Sequence, residues 1–436
     1  MRIKIKSKSY EEVLALPAHH HKKPLKQRFF WRLLLRIVSA PTLIATHFTY
    51  KKIGMERLGR REAALFLMNH SSFIDLKMAS EMLHRRPYNI ICTTDGFVGK
   101  KRLMRLLGCI PTNKFVSDLN LVRDMIYATK RLKSSILMVP EAGYSFDGTT
   151  TVLPDHLGKC IKLLGVPVVV IETKGAFARD PLYNNLQIRR VKTSATMEYL
   201  LSPDEIKSLS AEEITARISE KFAFDNFRWQ QENKVRIAEP FRADCLNRVL
   251  YKCPHCQAEG KMEGNGITLT CHACGKVWEL DEYGYLVARE GEGYFSHVPD
   301  WYRWERECVR REIDNRTYLL ELDVDIYMLA DTKCLYRVGE GHLTHSMAGF
   351  HLTGCEGKLD YTQDPILSYT LNADFNWYEI GDVISIGTNR ALYYCFPKNA
   401  GDFAAKARLA TEELYKIARE ERKSAYRAAI RAKKEN

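Results

Sequence analysis

The sequence predicts an α/β domain with a mainly parallel sheet, followed by a small β ribbon and a β-rich C-terminal module that ends in a helix. Three observations carry this. From residue 63 to about 200, short apolar runs alternate with helix-like segments. Two Cys-x-x-Cys pairs, Cys253/Cys256 and Cys271/Cys274, stand fourteen residues apart. Residues 316–396 are dense in short strand-like runs.

The expected strands of the α/β domain are Ala64–Met68, Tyr88–Thr93, Cys109–Thr112, Ser135–Val139 and Val166–Glu172. Between them, Leu76–His84, Lys100–Leu107, Asp118–Leu132 and His156–Leu164 read as helices. Strands that alternate with helices make parallel sheets, and a continuously apolar strand is one buried on both faces. Ser202–Asn233 follows with a capping box at Ser210 and Glu213 and an apolar stripe of Ile214, Ile218 and Phe222. Its acids read as a solvated face.

The stretch 63–77, AALFLMNHSSFIDLK, organises the domain. Its apolar run delivers Asn69 and His70 into a polar turn, with Asp75 five residues after the histidine. Open α/β sheets bind ligands at the carboxyl ends of their strands, which is where His70 falls. Five residues on a regular helix point two side chains about 140° apart, so a His70–Asp75 contact needs a turn or an irregular helix start. If it forms, the carboxyl orients the imidazole and the second ring nitrogen is left to act as a base. The other reading is that His70 caps a helix and Asp75 is a solvated first-turn acid.

NHSSFID resembles the NHxxxxD motif of the glycerolipid acyltransferases, the family of lysophospholipid and 1-acylglycerol-3-phosphate acyltransferases. Three more blocks follow in that family's order: GCIPTNK at Gly108–Lys114, VPEAGYS at Val139–Ser145 and GVPVVVI at Gly165–Ile171. The resemblance implies that His70 deprotonates an acceptor hydroxyl, Asp75 orients it, and Lys114, Glu141, Gly143 and Ser145 line the substrate site. It implies acyl-CoA or acyl carrier protein as donor and a lysophospholipid such as 1-acylglycerol-3-phosphate as acceptor. Backbone N–H groups near Gly143 would be the donors for charge on the thioester oxygen. Two departures concern the acceptor. Lys114 replaces the second block's usual arginine, and Tyr144 replaces that of the third, with Ala142 where glycine is common. A tyrosine cannot make a bidentate phosphate fork.

The 436 residues carry a net charge of +13. Residues 1–61 hold fifteen Lys or Arg against three Glu, so nearly all the excess sits in the first domain-sized arm. That arm contains Phe29–Tyr50, apolar and aromatic but interrupted by Arg32, Arg36 and Pro41. Central arginines are costly in a spanning helix. The stretch reads instead as a helix lying on an anionic membrane surface, flanked by the basic run His19–Lys26 and by Lys51 and Lys52. A helix packed on the core and a basic arm for nucleic acid are the alternatives. The first ten residues are polar, so no cleavable signal peptide is expected, and the location implied is cytoplasmic, peripheral on the inner face of the cell membrane.

Two Cys-x-x-Cys knuckles at this separation let four thiolates meet one tetrahedral ion, so Cys253, Cys256, Cys271 and Cys274 form an expected structural Zn(2+) site. Gly260, Gly264 and Gly266 and the run Ile267–Thr270 suit a β-hairpin ribbon. The segment is not notably basic, which argues against nucleic acid. The other eight cysteines, mostly in apolar contexts, read as core thiols. The β-rich module with its closing helix, expected from about Ala400, is pleckstrin-homology-like in pattern. The division expected is a basic arm and interfacial helix over 1–62, an acyltransferase domain over 63–245, the ribbon over 246–285, a linker over 286–315 and the β-rich module over 316–436. There is no internal repeat, Walker motif or Rossmann glycine pattern. Three functions follow: an O-acyltransferase, a non-catalytic membrane adaptor on the same fold, or a nucleic-acid-binding zinc protein.

Overall fold

Before its first large sheet the chain makes strand β1 (Ile5–Ser7), helix α1 (Tyr10–Leu14) and helix α2 (Phe29–Ala45). The computed structural model describes residues 3–17, 21–114, 118–141, 143–388, 391–398, 401 and 403–435. His19, Ala142 and Ala400, named above, therefore lie outside the described residues.

Seven strands then build the α/β sheet: β2 (Thr49–Ile53), β3 (Leu65–Met68), β4 (Tyr88–Thr93), β5 (Cys109–Thr112), β6 (Ser135–Met138), β7 (Val168–Lys174) and β8 (Ser194–Leu201). Their order is β2-β8-β7-β3-β6-β4-β5, and all neighbours are parallel except β7 and β8. With them come helices α3 (Ile74–Leu83), α4 (Lys101–Leu106), α5 (Leu119–Ile126), α6 (Leu157–Leu164), α7 (Ala176–Arg179), α8 (Pro203–Ser208), α9 (Ala211–Lys221) and α10 (Asn226–Glu232).

Strand alternation sends side chains to two separate cores. Phe66, Met68, Val169 and Ile171 pack on one face with Ile74, Met78 and Met82 of α3. Leu65, Leu67, Val168 and Val170 pack on the other with Ile161, Ile214 and Ile218. The Ser210–Glu213 capping box forms at the start of α9. Helices α6 and α9 come close at Gly158, where a Cβ would lie 1.9 Å from the Ala211 carbonyl oxygen.

The ribbon is a four-stranded antiparallel sheet of β9 (Met262–Asn265), β10 (Thr268–Cys271), β11 (Val277–Leu280) and β12 (Leu286–Ala288). Residues 286–315, expected as a linker that is helix-like over Trp304–Asn315, supply β12 and helix α11 (Val298–Asp314). The helix buries Trp301, Tyr302, Cys308, Val309 and Ile313, and an apolar face of that size is a core face. Trp301 meets Trp278 of the ribbon edge to face at 4.9 Å, so ribbon and helix share one core.

The C-terminal module is an antiparallel sheet of β13 (Leu319–Met328), β14 (Leu335–Ser346), β15 (Gly349–Gly354), β16 (Leu359–Gln363), β17 (Asn372–Trp377), β18 (Gly381–Gly387) and β19 (Leu392–Pro397), with terminal helix α12 (Phe403–Glu435). Strand β1 joins it as an eighth strand, parallel to β14 over Leu335–Arg337. The module reaches the α/β sheet where the parallel strands end: the Gly99 amide donates to the Thr332 carbonyl at 2.9 Å, and Phe146 meets Phe375 at 4.4 Å.

Helix α2 lies on α3, and its arginines point inward. Arg36 pairs with Glu81 at 2.8 Å, while Arg32 donates to the carbonyls of Gln27 and His84 at 2.7 and 3.1 Å. The apolar side chains take the outward face, with Phe29 61%, Phe30 62%, Val38 65% and Ile44 73% exposed. No helix among the described residues is long and apolar enough to cross a membrane.

Candidate active site

Strand β3 ends at Met68, and α3 begins only at Ile74, so Asn69–Phe73 is a bend. That bend resolves the spacing problem. His70 sits ahead of the helix and Asp75 in its first turn, and Nδ1 of His70 lies 3.1 Å from Oδ2 of Asp75. Oδ2 also accepts from the amides of Ser71 at 2.7 Å and Ser72 at 3.0 Å. Asp75 is buried while the His70 side chain keeps 25% of its surface exposed. A carboxyl oxygen that accepts from Nδ1–H places the imidazole lone pair on Nε2.

Asn69 locks the bend to the neighbouring strand. Its Oδ1 accepts from the Thr173 amide at 2.7 Å, and its Nδ2 donates to the Thr173 carbonyl at 3.3 Å. The Thr173 hydroxyl donates to Oδ1 of Asp75 at 3.4 Å. Strand β7 thus holds both the bend and the acid.

The loop after β6 closes over the same edge. Glu141 accepts from the amides of His70 at 2.8 Å and Thr151 at 3.0 Å, and the Ser145 amide donates to the His70 carbonyl at 3.4 Å. The Ser145 hydroxyl donates to the Thr149 carbonyl at 2.5 Å. Glu141 and Ser145 therefore brace the loop against the histidine. The Gly143 amide, one of the N–H groups expected as oxyanion donors, donates to the Glu141 carbonyl at 2.7 Å. Lys114 lies just beyond β5, three strands from β3 and so about 14 Å along the edge. It lines a polar cleft with Thr94, Asp95 and Asn113 of this sheet and Thr370 and Asn372 of the C-terminal module. Its charge opposes the burial that raises the Asp374 carboxyl to about 6.

The sequence singled out Tyr144 only as a departure from the third block, and gave no signal for Phe73, Thr173 or Arg408. The Tyr144 ring stacks on the His70 ring at 3.9 Å, with Phe73 behind it at 5.5 Å. Burial and the facing carboxyls of Asp374, Asp75 and Asp180 push its phenol far up, so it is a neutral hydroxyl. Arg408 of α12 donates to the Tyr144 carbonyl at 3.0 Å and covers the Phe146 ring at 4.4 Å. Thr173 and Arg408 are ordinary residues in sequence, and only the fold brings them here.

Burial pushes the Glu141 carboxyl up to about 7, although its two amide donors pull the other way. An unfolded glutamate releases its proton near 4.5, so between that pH and about 7 the folded chain holds the extra proton. The contribution is fully present below the lower value and is lost as pH rises through the upper one. Tm should therefore fall from about pH 5 to pH 7, and Glu141→Gln should flatten the fall; an unchanged slope in the variant would assign it elsewhere.

The four ribbon thiols form one cluster, with all ligand atoms within 4.8 Å of one another. Sγ of Cys253 and Cys274 are 3.8 Å apart, and those of Cys256 and Cys271 are 3.7 Å apart. Four sulfurs about 2.3 Å from a tetrahedral ion stand about 3.8 Å from one another, so the set fits a metal such as zinc, and no disulfide joins them.

Residues 50–172 match the Acyltransferase family model, a span that runs from β2 into β7 and contains the bend, the acid and the bracing loop. The chain carries an acyltransferase domain. Among solved structures, the chain is similar to the 1-acyl-sn-glycerophosphate (LPA) acyltransferase PlsC from Thermotoga maritima, at 18% identity and a TM-score of 0.35, over 47% of this chain and 80% of that one. Comparison with curated proteins gives no match. The matched span fills less than a third of the chain, and the cysteine cluster and the antiparallel sheet lie outside it.

Proposed function

We propose that this chain transfers a fatty acyl group from a thioester, acyl-CoA or acyl carrier protein, to a hydroxyl of a lysophospholipid such as 1-acylglycerol-3-phosphate. The observation that carries the reading is the His70–Asp75 contact at 3.1 Å inside the acyltransferase domain. Nε2 of His70 takes the acceptor's proton as its oxygen attacks the thioester carbonyl carbon. The C–S bond then breaks, and the thiolate leaves with a proton returned from the imidazolium. Asp75 fixes the ring and its tautomer, Glu141 and Ser145 hold the loop facing it, and Lys114 is a cation on this edge that can attract an acceptor phosphate.

The chain would work as a peripheral protein on the anionic, cytoplasmic face of the cell membrane, through the outward apolar face of α2. Phe73 and Leu76, exposed beside the histidine, continue that face toward the site. The cysteine cluster would hold a structural zinc ion.

One observation favours a second reading. Tyr144 covers one face of the His70 ring where the family's arginine would grip phosphate, as in an adaptor that keeps the fold without the reaction. A labelled acyl group offered from acyl-CoA and from acyl carrier protein to a panel of lysolipids separates the two. Acylated product is expected with at least one lysophospholipid. No product with any acceptor, despite vesicle binding, would sink the enzyme and leave the adaptor.

A further inference from the structure

At the opposite edge of the α/β sheet, where the parallel strands begin, the loops entering β3, β4, β6 and β7 surround an open cavity of about 1250 Å³. Strand β3 is four residues long, so this cavity lies roughly 13 Å from the bend that holds His70. Nine Lys or Arg line it against one acid, Glu62. They come from separate segments: Arg32 from α2, Arg60 and Arg61 from the loop before β3, Arg86 from the loop before β4, and Lys130 from the turn before β6. Their convergence is a property of the fold rather than of one basic run.

Two of these guanidiniums are held by carbonyl oxygens. Arg32 donates to Gln27 and His84, as described, and Arg86 donates to the Glu62 carbonyl at 2.9 Å. Burial draws both below the usual arginine range, and at Arg86 the Glu62 carboxylate pulls the other way. The cavity is also bordered by Phe29, the first residue of the outward apolar face of α2. A deep cluster of cations beside exposed aromatic side chains matches a phosphate that sits at the boundary of an apolar phase.

We propose that this cavity receives the phosphate of an anionic phospholipid headgroup, at a site separate from the acceptor site at His70. The headgroup would fix the start of α2 on the membrane while its far end and Phe73 lie at the mouth of the active site. The proposal rests on the membrane reading of α2 and is independent of acyl transfer, so the test reads binding only.

The full chain is sedimented with phosphatidylcholine vesicles and with the same vesicles containing phosphatidylglycerol. Arg60→Gln/Arg61→Gln and Lys130→Gln remove exposed cavity cations, and Lys261→Gln/Arg289→Gln removes exposed charge from the ribbon. A cation at an anionic surface contributes about fivefold in affinity, so the Arg60/Arg61 variant should lose roughly 25-fold on anionic vesicles and nothing on neutral ones. The ribbon variant should change less than about twofold. Equal losses in the cavity and ribbon variants would reduce the cavity to general surface charge and overturn the proposal. So would an absence of preference for anionic vesicles. Calorimetric titration with inorganic pyrophosphate and with coenzyme A supplies the soluble arm. If the cavity variants lose that binding and keep vesicle binding, the site takes a soluble phosphate and the lipid proposal falls. Ile37→Ser/Val38→Ser tests α2 separately, because it should weaken binding to both vesicle types; unchanged binding there would reject the membrane reading of α2 itself.

Discussion

His70→Ala is expected to lower acyl transfer by about 10²- to 10⁴-fold, the usual contribution of a positioned general base. The side chain is partly exposed and its ring makes one hydrogen bond, so its removal should leave the fold intact. The loss belongs in kcat, because the proton moves only in the transition state. Asp75→Asn should give an intermediate loss by a different route. An amide can offer Nδ1 an N–H in place of an acceptor, which favours the tautomer with its proton on Nε2. It also leaves the Ser71 and Ser72 amides badly matched, at about 1–3 kcal/mol of stability. Melting curves taken beside the kinetics separate the two contributions. Product formed by His70→Ala at the unaltered rate would remove the histidine from the mechanism.

The second large effect is expected from the cysteine cluster. Cys271→Ser/Cys274→Ser, or prolonged chelation of the native chain, should release one metal equivalent and lower Tm by at least about 10 °C. Structural zinc supplies roughly 10–16 kcal/mol of folding free energy in isolated fingers. Here the ribbon also has Leu269, Trp278 and Leu280 buried in a core shared with α11, so only a fraction of that range should be lost. The damage should still travel. Cys253 and Cys271 lie in the same core as Trp301, and α11 reaches α12 through Arg306, which pairs with Glu412 at 2.7 Å. Helix α12 carries the arginine that holds the Tyr144 carbonyl. Chelation should therefore depress transfer as well as stability. A chain that melts at the same temperature with and without chelator would mean that the thiols hold no structural ion.

How much of this was legible in the sequence depended on distance along the chain. His70 and Asp75 lie five residues apart, and the local bend that joins them is written in Asn69, Ser71 and Ser72. The buried strands β3 and β7 were readable because they are apolar on both faces. Strand β2 was hidden, since an edge strand of sequence TYKKI with mostly exposed side chains has no apolar pattern to show. In the expected linker the helix-like stretch Trp304–Asn315 was readable, but the burial of α11 was not, because its many charges masked one continuous buried face. In α2 the two arginines interrupted an apolar run in sequence, yet in space they mark the face turned toward α3. Arg408 lies 264 residues from Tyr144, and no local pattern encodes a contact of that span. The cysteine spacing announced its cluster because four thiols need only two knuckles to meet.

Strand β1 has a consequence for how the chain reaches this state. Its hydrogen-bonding partner, Leu335–Arg337, is synthesised more than three hundred residues later. The α/β sheet, by contrast, has all its strands once Leu201 has emerged. The first strand must then wait, exposed, through the making of the sheet, the ribbon and the first strand of the second sheet. Closing so long a loop is slow, and an unpaired strand edge invites association with other chains in the meantime. The segment between β1 and β2 contains the basic run and α2, and early contact of that segment with a membrane would hold the waiting strand apart from other nascent chains until β14 arrives.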